Sequence, residues 1–372
     1  MSGYGFSVGT SGYDDEDRLV NWQRSDTNLD QSWNLSAVGN CNSITENSST
    51  QNRTHGPTHE MLTVASQSVT HDAKGNMTLI PAVLRPGSDP LKMKWDFENK
   101  LLAADTDNDS VDDIFYKFDA LGRRVGRDDG TANVVYFQDG QQTIADYPSG
   151  TAAGSPIYTY VYASYIDEPV MRGGSGGLRY YHRNQQYSIT AVSDGGGSVV
   201  ERYAYSAYGE VTIADASGSQ ISNSEISNRY TYTGREWDDG LSLYHYRART
   251  YDAVGGRFVS RDPIGFVGSP WNLFGFVGSG PLNTNDPSGL APILLPRFDN
   301  CFAGHFARCA LAACVILNID VPLCAAACII DERRPRPSMS CMNSCIVHAA
   351  ITSPICFPMS AACACRAKWK CK

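Results

Sequence analysis

The sequence predicts a mainly β fold of antiparallel strand pairs in series, followed by a small α-helical, cysteine-rich tail. Three observations predict it. A short turn phrase recurs through the first 260 residues, and the stretches between its copies alternate like half-buried strands. The cysteines are also segregated: eleven of the twelve lie after Leu290, leaving Cys41 alone before it. Charge divides at the same place. Lys+Arg against Asp+Glu stand at 22 to 35 through residue 290 and at 9 to 4 beyond it, within a net charge of −8. An acidic body attracts a basic tail and does not by itself favour nucleic acid.

The turn phrase is an aromatic residue or His, then Asp, a few small or polar residues, and a basic or apolar close. It reads Tyr13-Asp14 with Arg18-Leu19, then HDAKGNM at 71–77, WDFENKL at 95–101, FDALGRR at 118–124 and YDAVGGRF at 251–258. Repeats of this size imply stacked strand–turn–strand units, with the Asp side chain bonding backbone N–H groups of its turn. Between them, VVYFQDGQQTIADY (134–147) sets Asp139-Gly140, a favoured type I′ pair, between β-rich flanks. Residues 180–213 alternate like a hairpin around Gly195–Gly197. Residues 173–177 form a Gly-rich loop, and no long amphipathic helix stands out before residue 290.

The Tyr-Asp phrase, with the run YTYTGREWDDGLSLYHYRARTYDAVGGRFVSRDPIGFVGSPWNLFGFVGSGPLNTNDPSGL, resembles the rearrangement-hotspot (Rhs) family of YD-repeat proteins. The resemblance spans about residues 13–290 and is most specific from 230 to 290, the repeat-associated core ending in Asp-Pro-x-Gly-Leu. It implies a spiral β-sheet shell and an exchangeable C-terminal tail, often a toxin, cut free after that Leu. The expected organisation is divergent YD repeats at 1–178, the core at 179–290, and a variable tail at 291–372. About 290 residues are too few to close around a cargo, so a partial shell is expected. Two departures stand out. His182-Arg183-Asn184 replaces the usual His-x-Asp, with no Gly before Ser188, and Ser279-Gly280-Pro281 replaces Asn-x-Pro.

Partners implied by the resemblance are an immunity protein for the tail and an upstream Rhs shell or secretion partner. A competing class is a non-enzymatic surface protein whose exposed Tyr and Trp bind cell-surface glycan; another is a truncated cassette without activity. The first twenty residues lack a basic stretch followed by an apolar run, so no signal peptide is expected. The most apolar segment, 310–330, is broken by Asn318, Asp320 and Pro322, so no integral membrane span is expected either. A secreted or cell-surface location would then require a non-classical route.

Two Asp-Pro-x-Gly units, Asp262-Pro263-Ile264-Gly265 and Asp286-Pro287-Ser288-Gly289, have type I turn composition. By resemblance their Asp residues correspond to positions implicated in Rhs self-cleavage, which places the cut between Leu290 and Ala291. Peptide hydrolysis by carboxylates needs two of them sharing a proton, one activating water and one polarising the carbonyl. Arg257 and Arg261 are the nearby cations expected to hold one carboxylate ionised.

A separate cluster, DTDNDSVDD, gives Asp105, Asp107 and Asp109 the spacing of a calcium loop's first ligands, with Asp112 or Asp113 to follow. Ser110 replaces the sharp-turn Gly and Tyr116 stands where the closing Glu belongs, so a solvated turn is the favoured reading. No cofactor is expected: the Gly pairs lack the helix and Lys of a phosphate loop. His55 and His59 in HGPTH flank Pro57, which argues for a loop.

In the tail, 302–317, 323–330 and 340–352 have helix-compatible composition. Cys324 and Cys328, like Cys341 and Cys345, sit one helical turn apart on one face. Two disulfides stapling a helical hairpin would stabilise a segment too small for a core of its own. Zinc at Cys301 with His305, or at Cys341 and Cys345 with His348, is the alternative, without a Cys-x-x-Cys knuckle to support it.

Overall fold

Copies of the turn phrase close their hairpins by one shared chemistry. In the computed structural model, which describes residues 6–294 except 10, 26–28, 152–153 and 270, the Asp carboxylate accepts the N–H groups two and four residues ahead. Asp96 does so from Glu98 and Lys100, both at 2.8 Å, and Asp119 from Leu121 and Arg123 at 2.9 and 3.0 Å. The residue three ahead then takes the left-handed conformation, with φ of 62° at Asn99 and 72° at Gly122. Asn and Gly occupy that region at little cost. At the first departure Asn184 takes over the Asp role, accepting from Gln186 and Ser188 at 2.9 and 3.0 Å. The left-handed place falls to Tyr187 at φ 65°, its ring stacked 3.9 Å from Tyr165.

These hairpins chain into two antiparallel meanders in which each strand pairs with the next in sequence. Seven strands run from Phe6–Ser7 to Gln67–Ser68, and fifteen from Thr70–His71 to Gln220–Ile221. Both sheet orders are open, as expected of a partial shell. A four-stranded sheet follows, Glu236–Asp238, Leu243–Tyr246, Arg249–Asp252 and Arg257–Phe258. Helix among the described residues is limited to four three-residue 3-10 turns. The hairpin at 133–148 turns on Gly140 and Gln141, with Asp139 paired to Gln142, one residue later than the Asp-Gly pair suggests. The tail, with Cys324, Cys328, Cys341 and Cys345, lies outside the described residues.

The core segment packs against the meanders. Tyr232, Tyr244, Tyr246, Tyr251, Phe258 and Phe276 are buried in one cluster with Leu19, Trp22, Trp33 and Tyr208. Leu241, Leu243 and Val259 join a second cluster with Met61, Leu91 and Tyr116. Thus residues far apart in sequence share two cores, and the last sixty residues of the body hold the repeats together. Phe276 sits 4.1 Å from Tyr251 and edge-on to Tyr246 at 5.5 Å. Phe276→Ala is expected to cost about 3–5 kcal/mol, read as a lower urea midpoint at unchanged slope. Phe137→Ala, on a side chain 58% exposed, is expected to change stability by no more than about 0.5 kcal/mol. A cavity of about 310 Å³ between residues 31–53, 206–210 and 253–256 is of small-molecule size, far below a chamber for a folded segment.

Candidate functional site

The two Asp-Pro turns meet on a buried guanidinium. Asp262 follows the strand Arg257–Phe258, and its turn closes through Gly265 N–H donating to the Asp262 carbonyl at 3.0 Å. Its Oδ1 accepts from Ile264 N–H at 3.0 Å, and its Oδ2 from the Ser269 hydroxyl at 2.9 Å. Asp286 follows the strand Thr284–Asn285, and its Oδ1 accepts from Leu290 N–H at 3.2 Å and the Ser288 hydroxyl at 3.1 Å. Arg249 Nη2 lies 3.1 Å from Asp262 Oδ2 and 3.4 Å from Asp286 Oδ2, with all three side chains at most 2% exposed. Arg249 Nε donates to the Gly289 carbonyl, and the guanidinium sits 3.5 Å over the Phe258 ring.

The junction itself is reached from both sides. A Cβ built on Gly268 would stand 2.1 Å from the Leu290 carbonyl oxygen and 2.8 Å from Asp262 Oδ2. Those two oxygens therefore flank the same glycine. Leu290 offers its N–H to Asp286 and its carbonyl to the neighbourhood of Asp262. Gly289 has φ 69°, and a Cβ there would fall 2.1 Å from the Tyr246 carbonyl, so no other residue fits this approach. Ala291 is exposed, and Ile293–Leu294 pairs back on Thr284–Asn285. The Leu290–Ala291 bond thus lies in a loop tied at its base.

Electrostatics separate the groups. Burial raises the Asp262 carboxyl above its ordinary range; the Arg249 cation works against this and the Asp286 charge adds to it. Burial also draws Arg249 down to about 10, with both carboxylates opposing. The cations picked out by sequence proximity point elsewhere. Arg257 donates to the His59 carbonyl and lies 4.7 Å over the Phe274 ring, while Arg261 pairs with Glu60. Arg249 stands at the carboxylates in their place. Nothing in the spacing separates it from Arg247, which pairs with Asp167 at 2.6 Å.

Asp105, Asp107 and Asp109 bring carboxylate oxygens within 4.8 Å of one another, the first buried and the others exposed. Asp105 is already engaged, by Lys92 at 3.1 Å, Asn108 N–H at 2.7 Å and Ser110 N–H at 3.0 Å. Burial opposes its ionisation, yet these donors hold the carboxyl below its usual range. Asp113 accepts the Thr106 N–H and hydroxyl, both at 2.7 Å, and Asp112 pairs with Lys94. A cation would have to displace Lys92 and turn donors. The melting temperature is therefore expected to be the same in EDTA and in about 1 mM calcium, the range of weak extracellular sites.

Residues 10–268 match the family model described as Teneurin YD-shell. The tRNA nuclease WapA of Bacillus subtilis (strain 168) is 27% identical over 245 residues, covering 65% of this chain and 10% of that protein. The toxin subunit YenC1 of Yersinia entomophaga is 32% identical over 123 residues, 33% of this chain and 12% of that one. Among solved structures, the TcdB2-TccC3-Cdc42 crystal structure aligns with 77% of this chain and 18% of its own, at 18% identity and a TM-score of 0.39. The chain thus spans about a tenth of the length of WapA. No helix among the described residues is long and apolar enough to cross a membrane.

Proposed function

The chain belongs to the Rhs/YD-repeat family of YD-shell proteins, and from that membership we propose that it is a carrier segment that presents its C-terminal tail and releases it after Leu290. The observation that carries this reading is the meeting of Asp262 and Asp286 on Arg249, with the Leu290 N–H on one acid and the Leu290 carbonyl beside the other. In the reaction, water adds to the Leu290 carbonyl carbon as one carboxylate takes its proton and the other carboxyl protonates the carbonyl oxygen. The C–N bond then breaks, and the departing Ala291 amine takes a proton. One turnover per chain suffices, so modest catalysis is adequate.

In this reading residues 1–178 are divergent repeats, 179–290 the processing core, and 291–372 the released effector. Relatives named as a tRNA nuclease and a toxin subunit support a toxin tail, with an immunity protein, an upstream shell and export from the cell as its implied companions. Intact-mass measurement of the purified full-length chain tests the cut. Species ending at Leu290 and beginning at Ala291 are expected; a single uncut mass would refute it.

A further inference from the structure

We propose that the cavity between the first meander and the core segment binds a small organic cation, an aliphatic diamine in chemical class, held by Glu46 and Glu210 over the Trp33 and Tyr208 rings. The site is separate from the proposed cut, since none of its lining residues belongs to the two Asp-Pro turns.

Three segments build the walls. The strands Leu29–Leu35, Cys41–Glu46 and Ser49–His55 supply one face by period-two alternation, with Gln31 and Trp33 on the first, Glu46 on the second, and Gln51 and Arg53 on the third. Register sets Glu46 directly opposite Gln31. The turn at 206–210 brings Tyr208 and Glu210, and the turn at 253–256 completes the enclosure. Trp33 and Tyr208 are buried, their ring centroids 5.2 Å apart, while Glu46 and Glu210 stand at the open rim.

The groups left unpaired decide the ligand. Arg53 is the one cation among the lining residues, and its three nitrogens are already engaged. Nε lies 3.1 Å from Gln51 Oε1, Nη1 2.9 Å from the Gly255 carbonyl and Nη2 3.1 Å from the Val254 carbonyl. Glu46 accepts the Gln31 amide N–H at 2.8 Å. A carboxylate only accepts, so the amide nitrogen faces it and Gln31 Oε1 is the end left over. That oxygen is buried, on a side chain 5% exposed, and has no donor. Glu210 is tied only through its backbone, its N–H donating to the Ser206 hydroxyl at 3.0 Å, and its carboxylate has no ion-pair partner among the described residues. The walls raise that carboxyl by burial, with the Glu46 and Asp252 charges adding and Arg24 opposing.

These free groups are all acceptors, two of them anionic, so the occupant that fits carries N–H donors and positive charge. The ring pair adds cation–π attraction and covers methylenes. A sugar would bring hydroxyls but leave both acids without a counter-charge. The volume of about 310 Å³ lies at the small end of ligand pockets.

Equilibrium dialysis of the purified full-length chain against radiolabelled diaminobutane tests the proposal. One saturable site is expected, weakened roughly tenfold or more by Glu210→Gln and by Glu46→Gln, each of which removes a charge-assisted contact. Both residues are exposed, so the variants should keep the wild-type melting temperature within a few degrees. Binding should weaken with added salt, and butanediol, the uncharged chain of the same length, should not compete. No saturable binding at millimolar diamine would overturn the proposal, as would Glu variants that bind like the wild type or equal competition by butanediol. Displacement of the diamine by maltose would assign the cavity to sugars and remove the amine.

Discussion

Asp262→Asn and Asp286→Asn are each expected to leave the chain whole over times in which the proposed cut would separate the wild type into residues 1–290 and 291–372. The expected slowing is roughly 10²–10⁴-fold, the contribution of a placed general acid or base. Asn keeps the size of Asp and one acceptor oxygen, so the Leu290 N–H and Ser269 hydroxyl retain partners, but no proton is exchanged. The pH dependence has a definite sign. Asp262, raised by burial and adjacent to the Leu290 carbonyl, suits the donating role, so the rate falls as pH rises through its folded pKa. Stability runs separately. Because the folded pKa of Asp262 lies above its ordinary 3.8, its contribution is fully present below that value and is lost as pH rises through the folded pKa. Above that folded pKa the wild type carries the cost of an ionised buried acid, which Asp262→Asn removes while Arg249 keeps Asp286. A folded, uncut variant is the result that assigns the acid to chemistry; an Asn variant cut as fast as wild type would remove it.

The turns were legible in the sequence because their chemistry is local: the Asp carboxylate reaches the N–H groups two and four residues ahead at Asp14, Asp72, Asp96 and Asp119, and two and three ahead at Asp252. The β class followed for the same reason, from alternation between turns. The proline turns were legible as turns and, through the family resemblance, as neighbours. Arg249 was not. Its two carboxylates lie 13 and 37 residues away in sequence, whereas Arg257 and Arg261 flank Asp262 closely and pair elsewhere. The two departures from the family pattern were visible singly, but not their contact. Gln186 Nε2 donates to the Pro281 carbonyl at 2.6 Å, and Asn285 Nδ2 returns a bond to the Gln186 carbonyl at 3.0 Å. Each irregular segment therefore finds its partner near the other, a relation that only the fold creates.

Gly268→Ala should slow the cut with both acids kept in the sequence. The backbone there has φ −88°, so alanine adopts it without strain and any effect comes from the added methyl. That methyl would stand 2.1 Å from the Leu290 carbonyl oxygen, 2.8 Å from Asp262 Oδ2 and 2.8 Å from Ile264 Cδ1. Ile264 is 42% exposed and can swing away. Asp262 is held by Arg249, Ser269 and Ile264 N–H. The Leu290 carbonyl is thus the group that gives way, at an overpacking cost of about 1–3 kcal/mol, and the cut should slow roughly a hundredfold. Gly265→Ala supplies the matched control three residues earlier. Its φ of 63° strains an alanine, but a Cβ there meets nothing within 4 Å, so stability should fall by about 1 kcal/mol with the cut retained. Timed intact-mass spectra of the two variants separate backbone strain from obstruction of the carbonyl. Cleavage of Gly268→Ala at the wild-type rate would mean that the bond after Leu290 is not attacked from the Asp262 side.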